Sequence, residues 1–227
     1  MNVMLTTDFL QFLYELSQNN NRDWFEKNKK RYEATVKKPF EETVAAIIAR
    51  VQAFEPGYGP ITPKDCIFRI YRDTRFSKDK TPYKTNVAAS FSPKGVKSTT
   101  DAMSFPGYYI HLEFGSLLIG GGAYFLDKEP LRKVRTAIMQ DPGEFRALIS
   151  EKTFKETYGA LRGEVNKVLP AEFKEAAKSE PLLANKQFYF MAEMDPEAAL
   201  RPDFPDFVAA CFKAGKPLND FFRKVIL

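Results

Sequence analysis

The sequence predicts an α+β fold, with a central, mainly antiparallel sheet of about four or five strands covered by N-terminal and C-terminal helices. Three observations predict it. Apolar residues recur at helical spacing up to about Phe54, the middle of the chain switches to short runs rich in β-branched and aromatic residues, and helical spacing returns from about Asp127. Helices, then consecutive strands, then helices distinguish this order from a doubly wound parallel sheet, where the two types alternate. No linker, repeat or low-complexity tract interrupts residues 1–227, which therefore read as one domain.

The elements follow in order. Thr7 can cap a first helix through about Ser17, with Leu10, Leu13 and Leu16 on one side. Asn21 can cap a second helix, RDWFEKNKKRYEATV, in which Trp24, Phe25, Asn28 and Tyr32 recur at helical spacing. Pro39 either kinks that helix or opens a third one to about Phe54, and EPGYGPITP is a turn-rich connection. CIFRIYR, TNVAASF and GYYIHLEFGSLLIGGGAYF read as strands. In the third, Tyr108, Ile110, Leu112 and Phe114 share one face, and Tyr109, His111 and Glu113 share the other. SPKGVKSTTDAMSFP is a loop. Asp127 can cap the helix EPLRKVRTAIM, and Asp141-Pro142-Gly143-Glu144 opens another with cap, proline and glutamate in the expected order. AEFKEAAK is a further helix, KQFYFMAEM a last strand, and Gly215 with Pro217 separates two terminal helices, DFVAACFKA and LNDFFRKVI.

Composition narrows the class. The 44% hydrophobic and 28% charged content is that of a globular chain, and 21 phenylalanines predict an aromatic core. No apolar run approaches the ~20 residues that span a bilayer, and the start lacks the features of a signal peptide. Two distant cysteines, Cys66 and Cys211, imply no disulfide framework, which fits a cytoplasmic setting with both thiols buried and inert. The single histidine excludes a multi-histidine metal site, and nothing implies a cofactor, a membrane or a particular oligomeric state.

The net charge of +5 is unevenly placed. From Lys64 to Lys97 there are nine basic residues against Asp65, Asp73 and Asp79, so this segment carries +6 and the rest of the chain −1. Concentrated positive charge points to an anionic partner rather than to solubility alone. Arginine presents a fixed fork of donors suited to phosphate or carboxylate, and lysine adds a mobile charge. Arg69, Arg72, Arg75 and Lys84 are the candidate anion ligands, with Lys80 beside them and Tyr71 and Tyr83 flanking. The bland alternative is an ion-paired brace in which these arginines meet carboxylates of the same chain. A nucleic-acid-binding module is a third expectation, since the basic residues alternate with aromatics that can stack on bases.

His111 and Glu113, on one strand face, form a candidate acid–base pair if a cation faces them; otherwise they make a cross-strand polar contact. Gly120-Gly121-Gly122 either approaches a phosphate or makes a bulge. Ser77 and Lys80 have S-x-x-K spacing, but its companion motifs are absent and Pro82 opposes the helix it needs.

The run FRIYRDTRFSKDKTPYKT, from Phe68 to Thr85, is unusually specific. With NNNRDWFEKNKKRYE upstream and GYYIHLEFGSLLIGGGAYF downstream, it resembles the uncharacterised bacterial and fungal family called domain of unknown function 2461. The matching elements run in the family's order from Phe9 to the C-terminal helices. After about Glu151 the likeness narrows to Lys186 and the aromatic strand behind it. The resemblance implies one domain and a cytoplasmic setting, and it brings no activity with it.

Overall fold

The computed structural model describes residues 5–93 and 105–227; Lys94 and Lys97 of the basic segment, and most of the predicted loop SPKGVKSTTDAMSFP, lie outside them. Among the described residues the strands β1 (Asn86–Phe91), β2 (Gly107–Glu113), β3 (Ser116–Ala123) and β4 (Phe188–Met194) form a four-stranded antiparallel sheet in the order β1-β2-β3-β4, flanked by helices. The α+β class is therefore the one observed. The chain divides into two compact units. The first takes described residues up to 93, with 109–119 and 193–210; the second takes 105–108, 120–192 and 211–227.

In the first unit, α1 (Thr7–Gln18) buries Phe9, Leu10, Phe12, Leu13 and Leu16 along one face. Its cap position is Thr6 rather than Thr7, and the Thr6 side chain makes no capping bond. The helix α2 (Arg22–Tyr32) is capped as expected, with Asn21 Oδ1 accepting from the Trp24 N–H at 2.9 Å. It runs through a π turn (Glu33–Lys37) directly into α3 (Lys38–Phe54). The widened turn stands just ahead of Pro39, where a missing N–H and a bulky ring disturb an ordinary α ladder. Arg31 ties α1 to α2 by bonding Asp8 at 2.6 Å and Glu15 at 2.5 Å.

The segment CIFRIYR departs from the predicted strand. Cys66 closes a short helix, α4 (Pro63–Cys66), opened by Pro63 and held by Asp65 accepting from the Thr62 N–H at 2.7 Å. Beyond it the backbone is extended and, among the described residues, pairs through isolated bridges, Ile67 with Ala89 and Tyr71 with Tyr83, instead of in a named strand. The long apolar run predicted as one strand is the β2–β3 hairpin. Tyr108, Ile110 and Leu112 are buried, while Phe114 sits in the turn, half-exposed, with its ring 4.6 Å from that of Tyr14.

The second unit has an aromatic core. The rings of Tyr108 and Phe212 stack at 4.8 Å, and Phe190 packs between Phe154 and Tyr158. Around it lie α5 (Lys128–Gln140), α6 (Pro142–Ser150), α7 (Lys152–Tyr158) and α8 (Ala171–Lys174). Asp127 stands at the cap of α5 without a side-chain bond, whereas Asp141 caps α6 through the Glu144 N–H at 2.8 Å. The two predicted terminal helices are one, α9 (Phe204–Ile226), with Pro217 inside it. Gly215 does not end a helix: a Cβ there would lie 2.3 Å from the Phe190 ring, so glycine admits that ring. The glycine run belongs to β3, where Gly122 has φ +114° and a Cβ would come within 2.4 Å of the Phe188 carbonyl. Close strand approach is what those glycines allow.

No helix among the described residues is long and apolar enough to cross a membrane. Both thiols are buried and free, and burial pushes the Cys66 thiol up to about 12.

Candidate functional site

The first unit contains a groove of about 510 Å³, within the range of small-molecule sites. One wall is helical. Lys29, Glu33, Lys37 and Glu41 follow one another at steps of four and all line it. A step of four overshoots an α turn by about 0.4 residue, so such a row should spiral away. The wider π turn between Glu33 and Lys37 takes up part of that drift and keeps the row facing the groove. The opposite wall is the extended segment after α4, which contributes Phe68, Arg69 and Tyr71, with Lys64 beside them.

Three of the four cations of this groove have no carboxylate partner among the described residues. Among the described residues no carboxylate pairs with Lys37, Lys64 or Arg69, and Lys29 makes only a 3.7 Å contact with Glu26. Four cations stand against Glu33 and Glu41, so the lining is net positive. Tyr32 adds a half-buried phenol whose pKa is pushed up to about 12, chiefly by burial and then by Glu41, Tyr71 and Glu33. It is therefore a neutral hydrogen-bonding group at ordinary pH. The Tyr71 ring is exposed on one side and backed on the other by Phe25 and Tyr83, whose own rings stack at 4.0 Å. Asn20 fixes the backbone of Tyr83 by donating to its carbonyl at 2.9 Å and accepting from its N–H at 3.1 Å.

Of the predicted ligand-binding residues, Arg69 and Tyr71 line this groove; Arg72, Arg75, Lys80, Tyr83 and Lys84 do not. Arg72 donates to Asp79 and to the Thr81 hydroxyl and carbonyl. Arg75 makes a fork with Asp73, at 3.0 and 2.7 Å, and its guanidinium lies over the Phe76 ring. Lys80 donates to the Thr74 carbonyl at 2.8 Å. These bonds close residues 72–81 on themselves, each arginine matched to an aspartate. The Arg75 fork draws the Asp73 pKa down to about 2, and the Thr81 N–H together with Arg72 does the same for Asp79. Tyr83 is buried as part of the aromatic backing, and burial raises its pKa.

Lys84 differs from the loop cations. It is half-buried, its Nζ lies over the Phe68 ring at 5.4 Å, and no hydrogen bond or ion pair among the described residues engages that amine. Burial, and then the charge of Arg69, lower its pKa. His111 and Glu113 share a face of β2 as expected, but 3.7 Å between Nε2 and Oε2 is too long for a hydrogen bond. His111 Nδ1 contacts the Tyr109 hydroxyl at 3.2 Å, and its Nε2 is buried without a partner. Burial lowers its pKa against the opposing pull of Glu113, with Lys84 adding to the lowering. Neither His111 nor Glu113 lines the groove, and no metal-binding cluster of His, Cys, Asp or Glu occurs among the described residues.

Reasoning from the basic segment alone misses the helical wall. Its signal is the charged row Lys29, Glu33, Lys37, Glu41, which an unbroken α-helix would present as an ordinary solvated face.

Fold and groove together define an α+β protein with a basic, aromatic-walled groove between a π-containing helical run and an extended strand-like segment. The chain belongs to the family described as conserved hypothetical protein (DUF2461), whose model matches residues 8–221. No curated protein matches it.

Proposed function

We propose that the groove binds a small molecule bearing a phosphate or carboxylate, with Arg69 as the principal anion ligand. The observation that carries this is the contrast in pairing. Arg72 and Arg75 are satisfied by carboxylates of the same loop, whereas Arg69 lines the groove with no carboxylate among the described residues at ion-pair distance. An exposed guanidinium with no carboxylate beside it keeps its fork available for an oxyanion. Lys64 and Lys37 supply further positive charge, and Tyr71 offers a flat face to an unsaturated or ring-bearing part of the ligand. The second wall carries Glu33, Glu41 and the neutral Tyr32 phenol, which suit hydroxyl or amine groups elsewhere on the same molecule.

A thermal-shift panel of inorganic phosphate, sugar phosphates, nucleotides and small carboxylates tests this. Wild type is expected to shift with at least one class, and Arg69→Ala to lose the shift while Arg75→Ala retains it. No shift in wild type, or an equal shift in Arg69→Ala, removes the proposal.

A second reading, nucleic-acid binding, is favoured by one observation. The Phe76 ring is 95% exposed at the tip of the basic loop, where a base could stack on it. It predicts retention of single-stranded oligonucleotides that weakens steeply with salt and is lost in Phe76→Ala. Absence of retention at low salt ends it.

A further inference from the structure

We propose that the ligand of the groove is a zwitterion, a molecule whose oxyanion is held by Arg69 and whose protonated amine is held by Glu41 and Glu33 on the facing wall. This rests on the anion groove proposed above and names the class of molecule that the groove takes.

The observation that carries it is a row of opposite charges that do not pair. Lys29, Glu33, Lys37 and Glu41 alternate in sign at steps of four, and all line the groove. That spacing ordinarily joins such charges along a helix. Elsewhere in the chain it does so: Lys152 meets Glu156 at 3.9 Å and Lys216 meets Asp220 at 2.6 Å. Along the row that crosses the π turn it does not. Among the described residues neither the Glu33 nor the Glu41 carboxylate has an ion pair or a hydrogen bond, Lys37 has none either, and Lys29 meets Glu26 instead, at 3.7 Å. A π turn inside an α-helical run often accompanies a functional site, because it changes where the side chains on either side of it point. Glu41 is also half-buried. A carboxylate partly withdrawn from water and left without a partner is held at a cost that a bound cation removes.

The two walls are close. The Phe25 ring reaches both, its centroid 5.2 Å from that of Tyr32 on the helical side and 6.4 Å from that of Tyr71 on the extended side. Ile67, Arg69 and Tyr71 alternate along the extended segment, share one face of it and line the groove together. Beyond the effect of burial, the charges that reach the Tyr32 phenol are those of Glu41, Tyr71 and Glu33. An amine placed there meets two carboxylates, a phenol oxygen that can accept a hydrogen bond and the face of the Tyr71 ring.

Charge selects an amine over a hydroxyl. The lining holds four cations and two carboxylates. An oxyanion alone answers the cations and leaves both carboxylates facing a further negative group. An oxyanion joined to an ammonium meets each sign with its opposite, whereas a hydroxyl would hydrogen-bond Glu41 without neutralising it.

The test uses matched probes that differ in one group. ω-Aminoalkyl phosphates of two, four and six carbons are set against ω-hydroxyalkyl phosphates of the same lengths, and ω-amino carboxylates against ω-hydroxy carboxylates. Binding to the full chain is measured by calorimetry; the tightest length gives the span, and the two series distinguish phosphate from carboxylate. At one length the amine is expected to bind at least about tenfold tighter than the hydroxyl, the effect of a charge-assisted hydrogen bond at a partly shielded carboxylate. Glu41→Gln then separates a ligand from a bystander. It should weaken the amine probe yet strengthen the hydroxyl probe, because a charge that repels the oxyanion is gone. A bystander carboxylate would, by the same loss of repulsion, strengthen both. Glu33→Gln should act in the same direction by a smaller factor, since Glu33 is more exposed, and Glu42→Gln, next in sequence but outside the lining, should leave the preference for the amine intact. The wild-type comparison of amine with hydroxyl decides the matter should a variant fail to fold. Equal binding of amines and hydroxyls at every length, or strengthening of both by Glu41→Gln, overturns the zwitterion and leaves the anion groove standing. Amine preference that persists with unchanged affinity in Arg69→Ala overturns the anion groove, and the zwitterion with it. Absence of binding by any probe in a protein that still shifts with inorganic phosphate overturns the zwitterion alone.

Discussion

The motif FRIYRDTRFSKDKTPYKT contains two basic regions that differ in how their arginines are paired. In residues 72–81 both arginines and Lys80 meet oxygens of the same loop: Arg72 at Asp79 and Thr81, Arg75 at Asp73, Lys80 at the Thr74 carbonyl. In the flanks, the side chains of Arg69 and Lys84 meet none among the described residues. The difference teaches that a basic run is not by itself a binding site. The two aspartates lie two and seven residues from the arginines they hold, so the loop neutralises its own arginines and keeps only the charge of Lys78 and Lys80. Arg69 sits on an extended backbone beside Phe68, Ile70 and Tyr71, none of which carries negative charge. Its field reaches Asp73, but that carboxylate is already taken by the Arg75 fork.

The largest effect should come from removing what supports both regions. Phe25 is 1% exposed and its ring backs Tyr83 and Tyr71. Phe25→Ala is expected to cost about 3–5 kcal/mol, the usual range for a buried phenylalanine. At about 2–4 °C per kcal/mol for a chain of this size, a melting curve would show the loss plainly. A change under about 1 kcal/mol would mean that Tyr71 and Tyr83 hold their places without it.

Arg72→Ala comes next. Its guanidinium is 27% exposed and serves three acceptors, so its loss should cost about 1–2 kcal/mol by urea or thermal unfolding, with the phosphate shift unaffected. If that variant loses ligand instead of stability, the division between braced loop and open groove is wrong.

Acid separates the regions in a different way. The folded pKa of His111 lies below its ordinary value, so below about pH 6.5 the unfolded chain takes up a proton that the native chain refuses. Stability should therefore fall as the pH drops through that range, and His111→Asn should remove this component. Asp73 and Asp79 are held down to about 2, so their contribution is complete above about pH 4 and is lost only between there and about 2. Unfolding curves from pH 7 to about 2 on wild type and His111→Asn would resolve the two steps; identical curves would show that His111 is not held neutral.

Much of the fold is legible in the sequence because it rests on local signals. The Asn21 and Asp141 caps, the alternation in Tyr108–Glu113 and the apolar face of α1 each follow from spacing within a few residues. What is not legible depends on partners far along the chain. Gly215 reads as a stop and is a seat for the Phe190 ring. CIFRIYR has strand composition, yet α4 consumes Cys66 and the rest pairs through the isolated bridges at Ile67 and Tyr71 rather than in a continuous ladder. The basic wall of the groove is visible as charge. Its facing helical wall is hidden, because the row Lys29, Glu33, Lys37, Glu41 becomes a common surface only through a π turn, which hydrophobic periodicity does not announce.

The smallest effect on stability is also the sharpest comparison. Arg69→Ala removes a residue of the same type as Arg72, three positions away on the same backbone, but one whose side chain makes no bond among the described residues. Its removal should change stability by no more than about 0.5 kcal/mol in either direction. Any gain would have a physical source, since Arg69 crowds positive charge against the half-buried Lys84 amine and its removal relieves that repulsion. Unfolding of Arg69→Ala and Arg72→Ala side by side in low salt, repeated in high salt, reads this out. Screening should shrink whatever difference Arg69 makes and leave most of the Arg72 loss, whose hydrogen bonds are short-ranged and partly shielded from solvent. Equal losses for the two variants would mean that Arg69 is braced after all, and an arginine already braced has no fork to offer a ligand.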